Sequence, residues 1–220
     1  MISIKLVYFV TLVIAFVVSL FKFKSLPKHL RMFSILLGLT VLVEYISMYH
    51  ARTINTFFNW HGKSWLYDPF GLIEFSAYFY YFYLVISIPV IKKAIKLLLW
   101  LYPVFWLFTV VFIFKLSSWN SYIAIIGGAC TVLLVLAYLY QLLQIDSIIQ
   151  IKYSTEFWIA IGLFIFYSCE IPYFGTLNFL IKNYPNLAVD LANLFLVIDT
   201  IMYLIFSYAF LCRIITKKSL

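Results

Sequence analysis

Charge is scarce in this sequence. Asp, Glu, Lys and Arg together make up 11% of the residues, while 65% are hydrophobic and the mean hydropathy is +1.04. A soluble domain is about 25% charged and about 45–50% apolar. A water-soluble fold of this size could not hide so much apolar surface, and lipid is the solvent that removes the difficulty. Histidine and cysteine are equally sparse, at three residues each. Cys130, Cys169 and Cys212 all fall in apolar stretches, and neither their odd number nor their spacing fits a metal site. They are expected to behave as small apolar residues with no disulfide and no metal. No Pro-, Gly- or Ser-rich linker, low-complexity tract or N-x-S/T sequon occurs. The chain therefore reads as one transmembrane domain over residues 1–220. No nucleophile–base motif or cofactor signature is found, so no catalytic residue, cofactor or enzyme activity is expected.

What is present is a series of apolar runs, each long enough to cross a hydrocarbon core of ~30 Å as an α-helix. The expected fold is all-α, a polytopic membrane bundle with helices near 4–21, 32–51, 69–88, 97–114, 122–143, 157–177 and 187–212. The first run has its basic residues after it (Lys22, Lys24, Lys28, Arg31), the reverse of a cleavable signal, and reads as an uncleaved anchor. Pro69 suits the first turn of the third helix. Pro103 is a candidate kink in the fourth. Gly127, Gly128 and Ala129 offer a small-residue face for close packing in the fifth.

The net charge of +8 comes from sixteen Lys and Arg against eight acids. With seven spans, eleven of the sixteen basic residues lie on the side shared by the first, third and fifth connections and the tail, and five on the other. The positive-inside rule then sets the C-terminus in the cytoplasm and the N-terminus outside. The basic residues are read as topogenic, with no role in nucleic-acid binding. The expected location is a bacterial inner membrane.

Acids inside the apolar runs are the feature that points to function. A carboxylate at a helix centre costs roughly 2.5–3.5 kcal/mol on insertion scales, and the chain accepts that cost at Glu44, Glu74, Glu170 and Asp199. The first three are expected in the outer half of the membrane and Asp199 near its middle. Asp190 is expected near the outer surface. Tyr78 and Tyr81 share a helix face with Glu74, Tyr167 and Tyr173 flank Glu170 at steps of three, and Tyr203 lies one turn from Asp199. Glu44 has Thr40 and Ser47 in place of a phenol. Together Glu44, Glu74, Tyr78, Tyr81, Tyr167, Glu170, Tyr173, Asp199 and Tyr203 are the candidate ligand-binding set, lining an outward cavity of carboxyls and hydroxyls. Protonation, a bound cation or an amine ligand would each satisfy such a site. The competing structural reading is that these acids hydrogen-bond helices together.

His50 and His61 are read as interfacial, since no ligand pair has zinc-site spacing. His29, among Lys28 and Arg31, reads as a cytoplasmic surface residue. The Trp60–Tyr67 loop reads equally as a lid or as an aromatic anchor.

The seven-helix plan is similar to that of microbial rhodopsins, but run 187–212 holds no Lys for a retinal Schiff base. It is also similar to that of seven-helix zinc hydrolases, whose clustered membrane histidines are missing here. By helix count, size and lack of catalytic groups the chain resembles the seven-helix sensor modules of bacterial membrane histidine kinases. That resemblance implies a receptor or sensor binding a small ligand or cation. It would signal through a cytoplasmic or membrane partner such as a histidine kinase, with a homo-oligomer as a further possible assembly. A small transporter or proton- or cation-coupled carrier is the alternative, although no internal repeat is found and Pro103 and Pro172 do not correspond.

Overall fold

The computed structural model describes residues 4–21, 23–54, 64–114, 121–144 and 153–216. Among these, seven long helices and no strand are found. They are α1 (Ile4–Leu20), α2 (Lys28–Ile54), α3 (Ser64–Val85), α4 (Pro89–Phe108), α5 (Ser121–Leu143), α6 (Thr155–Asn183) and α7 (Pro185–Thr216). A short 3₁₀ turn at Phe23–Ser25 precedes α2, and α4 runs on into a π-helical segment, Thr109–Phe114.

Local chemistry explains where several helices begin. Ile88 is extended (φ −65°, ψ 117°) and Pro89 opens α4, its fixed φ suited to a first turn. Lys92, Lys93 and Lys96 therefore lie inside the first turns of α4 and not in the loop expected from the sequence. Their stems can run along the helix while the ammonium groups stay wet, and the Lys92 ammonium sits 5.6 Å from the centre of the Tyr83 ring. Ser154 caps α6 by accepting a hydrogen bond from the Phe157 amide. Tyr184 alone separates α6 from α7, and Pro185 starts the latter. Helix α3 begins at Ser64, earlier than expected, so Pro69 lies within it and Glu74 is set deeper.

Five helical stretches are long and apolar enough to cross a membrane: Lys28–Tyr49, Pro89–Ile113, Ser121–Leu143, Thr155–Leu177 and Pro185–Cys212. Helix α1 is apolar but has 17 residues, roughly 25 Å of helix. Helix α3 is diluted by Asp68, Glu74 and its tyrosines. This is a helical bundle of the membrane type. Its outer surface agrees: α4 exposes Leu97, Trp100, Leu101, Val104, Leu107 and Phe108 along one apolar stripe, a face suited to acyl chains.

Neighbouring contacts order the bundle. Helices α1, α2, α3, α5, α6 and α7 close a ring in that order, and α4 packs outside it against α3. Helices α6 and α7 are antiparallel, since Trp158 meets Tyr208 while Tyr173 meets Phe195. Helices α2 and α3 are antiparallel too, with Phe33 beside Tyr81 and Glu44 beside Tyr67. Helices α3 and α5 run parallel, with Gly71 beside Ile123, Phe75 beside Gly127 and Phe82 beside Tyr138.

Apolar burial gives little drive for helices to associate in lipid, so close packing must supply it. A Cβ on Gly127 would lie 2.5 Å from the Phe75 ring, and one on Gly162 would lie 2.7 Å from Phe206. These two glycines let rings from α3 and α7 seat directly on the backbones of α5 and α6. Gly128 approaches Tyr167 in the same way.

Candidate functional site

The Phe75–Gly127 seat fixes the rotation of α3 and with it the direction of Glu74. The next turn of α3 carries Tyr78, whose hydroxyl donates to Glu74 Oε1 at 2.9 Å. Tyr78 also packs edge-on against Tyr167 of α6, with ring centres 5.9 Å apart. Tyr167 lies within electrostatic reach of Glu74 as well. Helices α3 and α6 are antiparallel, since Phe75 and Tyr78 meet Tyr167 while Tyr81, farther along α3, lies within reach of Glu156 at the start of α6. Stepping back from Tyr78 to Glu74 and forward from Tyr167 to Glu170 therefore moves in the same direction. Glu74 and Glu170 thus come to one depth on facing helices.

Asp199 of α7 completes the group. Glu170 lies within electrostatic reach of both Glu74 and Asp199, and Asp199 within reach of Glu44 and Glu74. Four helices therefore send carboxyls toward one region. Glu74, Glu170 and Asp199 are deeply enclosed by the bundle. Each nevertheless keeps part of its surface open.

The phenols beside the acids differ in what they do. Tyr78 binds Glu74, and Tyr167 packs against Tyr78. The Tyr173 hydroxyl has no partner among the described residues, and its ring stacks on Phe195 at 4.2 Å. Tyr203, the neighbour of Asp199, packs against Tyr8 of α1, their ring centres 5.9 Å apart. Tyr81 is carried away from the acids. One helical step beyond Tyr78, it lies on the far side of Phe33 and turns its edge to His29 at 5.8 Å. Around Glu44, the Tyr67 hydroxyl donates to Glu44 Oε1 at 3.1 Å and to Ser47 Oγ at 2.8 Å. Thr40 is spent on the Leu36 carbonyl of its own helix.

The polar region ends on a packed aromatic layer. Phe33 touches Tyr78, Tyr81, Phe206 and Phe210, with centroid distances of 5.1–6.4 Å. None of these five rings exceeds 4% exposure, so no solvent reaches along them. Beyond it lies a second polar group. His29 Nε2 sits 2.8 Å from Glu156 Oε1, joining the start of α2 to the start of α6. Ser154 donates to the other Glu156 oxygen at 3.0 Å. His29 is thus a half-buried partner in a pair between helices, where its basic neighbours suggested a surface residue.

Tyr8, Tyr67, His29 and Glu156 are the members that reading the sequence missed. Tyr67 had been placed in a loop, and the His29–Glu156 pair joins residues with no local relation. His61 and Trp60 lie outside the described residues, as does the side chain of His50, and with them the interfacial and lid readings. Asp190 is exposed. Among the described residues no group of three His, Cys, Asp or Glu is placed to hold a metal ion.

Comparison of the chain with known protein families, with curated proteins and with solved structures finds no match.

Proposed function

We propose that the chain crosses a bacterial inner membrane seven times, with its N-terminus outside, and acts as a receptor or sensor module. In this reading α1 and α3 join the five strongly apolar helices as spans. The acidic and tyrosine-lined crevice formed by Glu44, Glu74, Tyr78, Tyr167, Glu170, Asp199 and Tyr203 then faces outward and binds a small ligand or cation. The output passes to a cytoplasmic or membrane signalling partner such as a histidine kinase. A homo-oligomer is a further assembly this role would accommodate.

One observation carries the choice of receptor over carrier: the acids end on the closed layer around Phe33. Ligand entering from the acid side meets a floor. The floor nevertheless couples to the other end. Helices α2 and α6 bear Glu44 and Glu170 above it, and His29 and Glu156 tie the same two helices below it. A ligand that draws α2 and α6 together would alter the His29–Glu156 contact, a differential interaction of the kind signalling requires.

A carrier is the second reading, supported by the thinness of that floor. A single aromatic layer separates the acids from the Tyr81, His29 and Glu156 group. Proteoliposomes under a membrane potential, carrying an interior pH dye, separate the two. The receptor reading expects no proton or cation flux above protein-free vesicles. Saturable flux abolished by Glu74→Gln would replace it with the carrier.

A further inference from the structure

The crevice has a charge problem that its own residues do not solve. Glu74, Glu170 and Asp199 come from three helices, and no Lys, Arg or His of the described structure acts on any of them. Glu74 is held by the Tyr78 phenol. Glu170 is not held: its Oε2 is sealed from the surface and has no hydrogen-bond partner among the described residues. A buried polar atom left without a partner is costly. One turn along the same helix, Tyr173 is 6% exposed and also lacks a partner for its hydroxyl. The orphaned Glu170 oxygen, beside the carboxyls of Glu74 and Asp199, marks the place of a missing donor.

The geometry further limits what that donor can be. The carboxyls feel one another's charge, yet no three acids of the described residues stand close enough to grip one ion. A bare metal ion wants several oxygens at short range. An ammonium group instead reaches separate acceptors with its N–H bonds.

We infer that the crevice between α3, α6 and α7 binds an organic cation bearing a primary or secondary ammonium group, with Glu170 as its principal acceptor. This rests on the receptor reading only in needing the crevice to be reachable from one side of the membrane. A quaternary ammonium fits less well, because it has no N–H to give Glu170 Oε2.

The test uses the full chain in nanodiscs of phosphatidylcholine and phosphatidylglycerol, with empty nanodiscs as the blank. Butylammonium, tetramethylammonium, butanol, sodium and calcium are titrated against thermal unfolding and by calorimetry. Butylammonium is expected to bind saturably and raise the Tm, with butanol inert and tetramethylammonium at least tenfold weaker. Glu170→Gln should weaken butylammonium binding at least tenfold, Glu74→Gln should weaken it less, and Asp190→Asn should leave it unchanged. Each variant's ligand-free Tm reports its folding. If Glu170→Gln fails to fold, the panel on the native chain and Glu74→Gln decide the matter. Calcium or sodium binding in place of butylammonium would overturn the ammonium assignment and leave the receptor reading standing. Binding of butylammonium with net uptake into vesicles would keep the assignment and remove the receptor reading. Equal binding of butanol, or no binding at all, would overturn the inference, the carboxyls then being neutral.

Discussion

His29 and Glu156 stand 2.8 Å apart across an interval of 127 residues, and they tie the first turn of α2 to the first turn of α6. Both side chains are about one-fifth exposed, so solvent weakens the pair without dissolving it. A hydrogen bond to a charged group is worth about 1.5–3 kcal/mol, and the lower end applies here. His29→Ala and Glu156→Gln should each lower stability in detergent by about 1–2 kcal/mol. The double variant should lose less than the sum, since contacting residues share their energy. Additive losses would mean that the two residues act separately.

Gly127 has a Phe75 ring where its side chain would be. Gly127→Leu should cost about 1–3 kcal/mol by overpacking, and it should also disturb any binding that depends on Glu74, the residue before Phe75. Gly175, with nothing near its Cβ position, is the control. Gly175→Ala should be neutral or stabilising by about 0.4–1 kcal/mol. Equal effects at the two positions would remove the seat as the feature that orients α3.

The order of helices was legible because each apolar run is bounded by basic or turn residues. Boundaries were less so: Pro89 starts α4 ahead of a basic run that reads as a loop. The acids stood out because a carboxylate in an apolar helix costs so much. The helical step also identified Tyr78 as the partner of Glu74. It could not find Tyr67 for Glu44, Tyr8 for Tyr203 or Glu156 for His29. Those partners lie on other helices, and their positions depend on rotation and tilt set by packing. Tyr81 shows the same limit, since three residues beyond Tyr78 suffice to cross the Phe33 layer.

Phe33 is the floor of the crevice. Phe33→Ala should cost about 3–5 kcal/mol and open a path between the two polar groups. Proteoliposomes bearing this variant should leak protons faster than the native chain. Phe33→Leu should restore tightness for a smaller loss of stability. A native chain that already leaks as fast as Phe33→Ala would contradict a closed floor.

Topology follows from the distribution of basic residues. Reporter fusions after Lys24, Lys96, Lys152 and Lys218 should report cytoplasm, and one at Lys63 should report the outer side. An external signal at Lys218 with a cytoplasmic one at Lys24 would require an even number of spans.

The central claim is that Glu74 and Glu170 belong to one site, and a double-mutant cycle between them tests it most directly. Glu74→Gln, Glu170→Gln and the double variant are unfolded side by side in the same nanodiscs, Gln keeping the volume while removing the ionisable group. Shared electrostatics predict a coupling of about 0.5–3 kcal/mol between the two changes. Stabilities that add to within about 0.3–0.5 kcal/mol would place the two acids in separate environments and contradict the account.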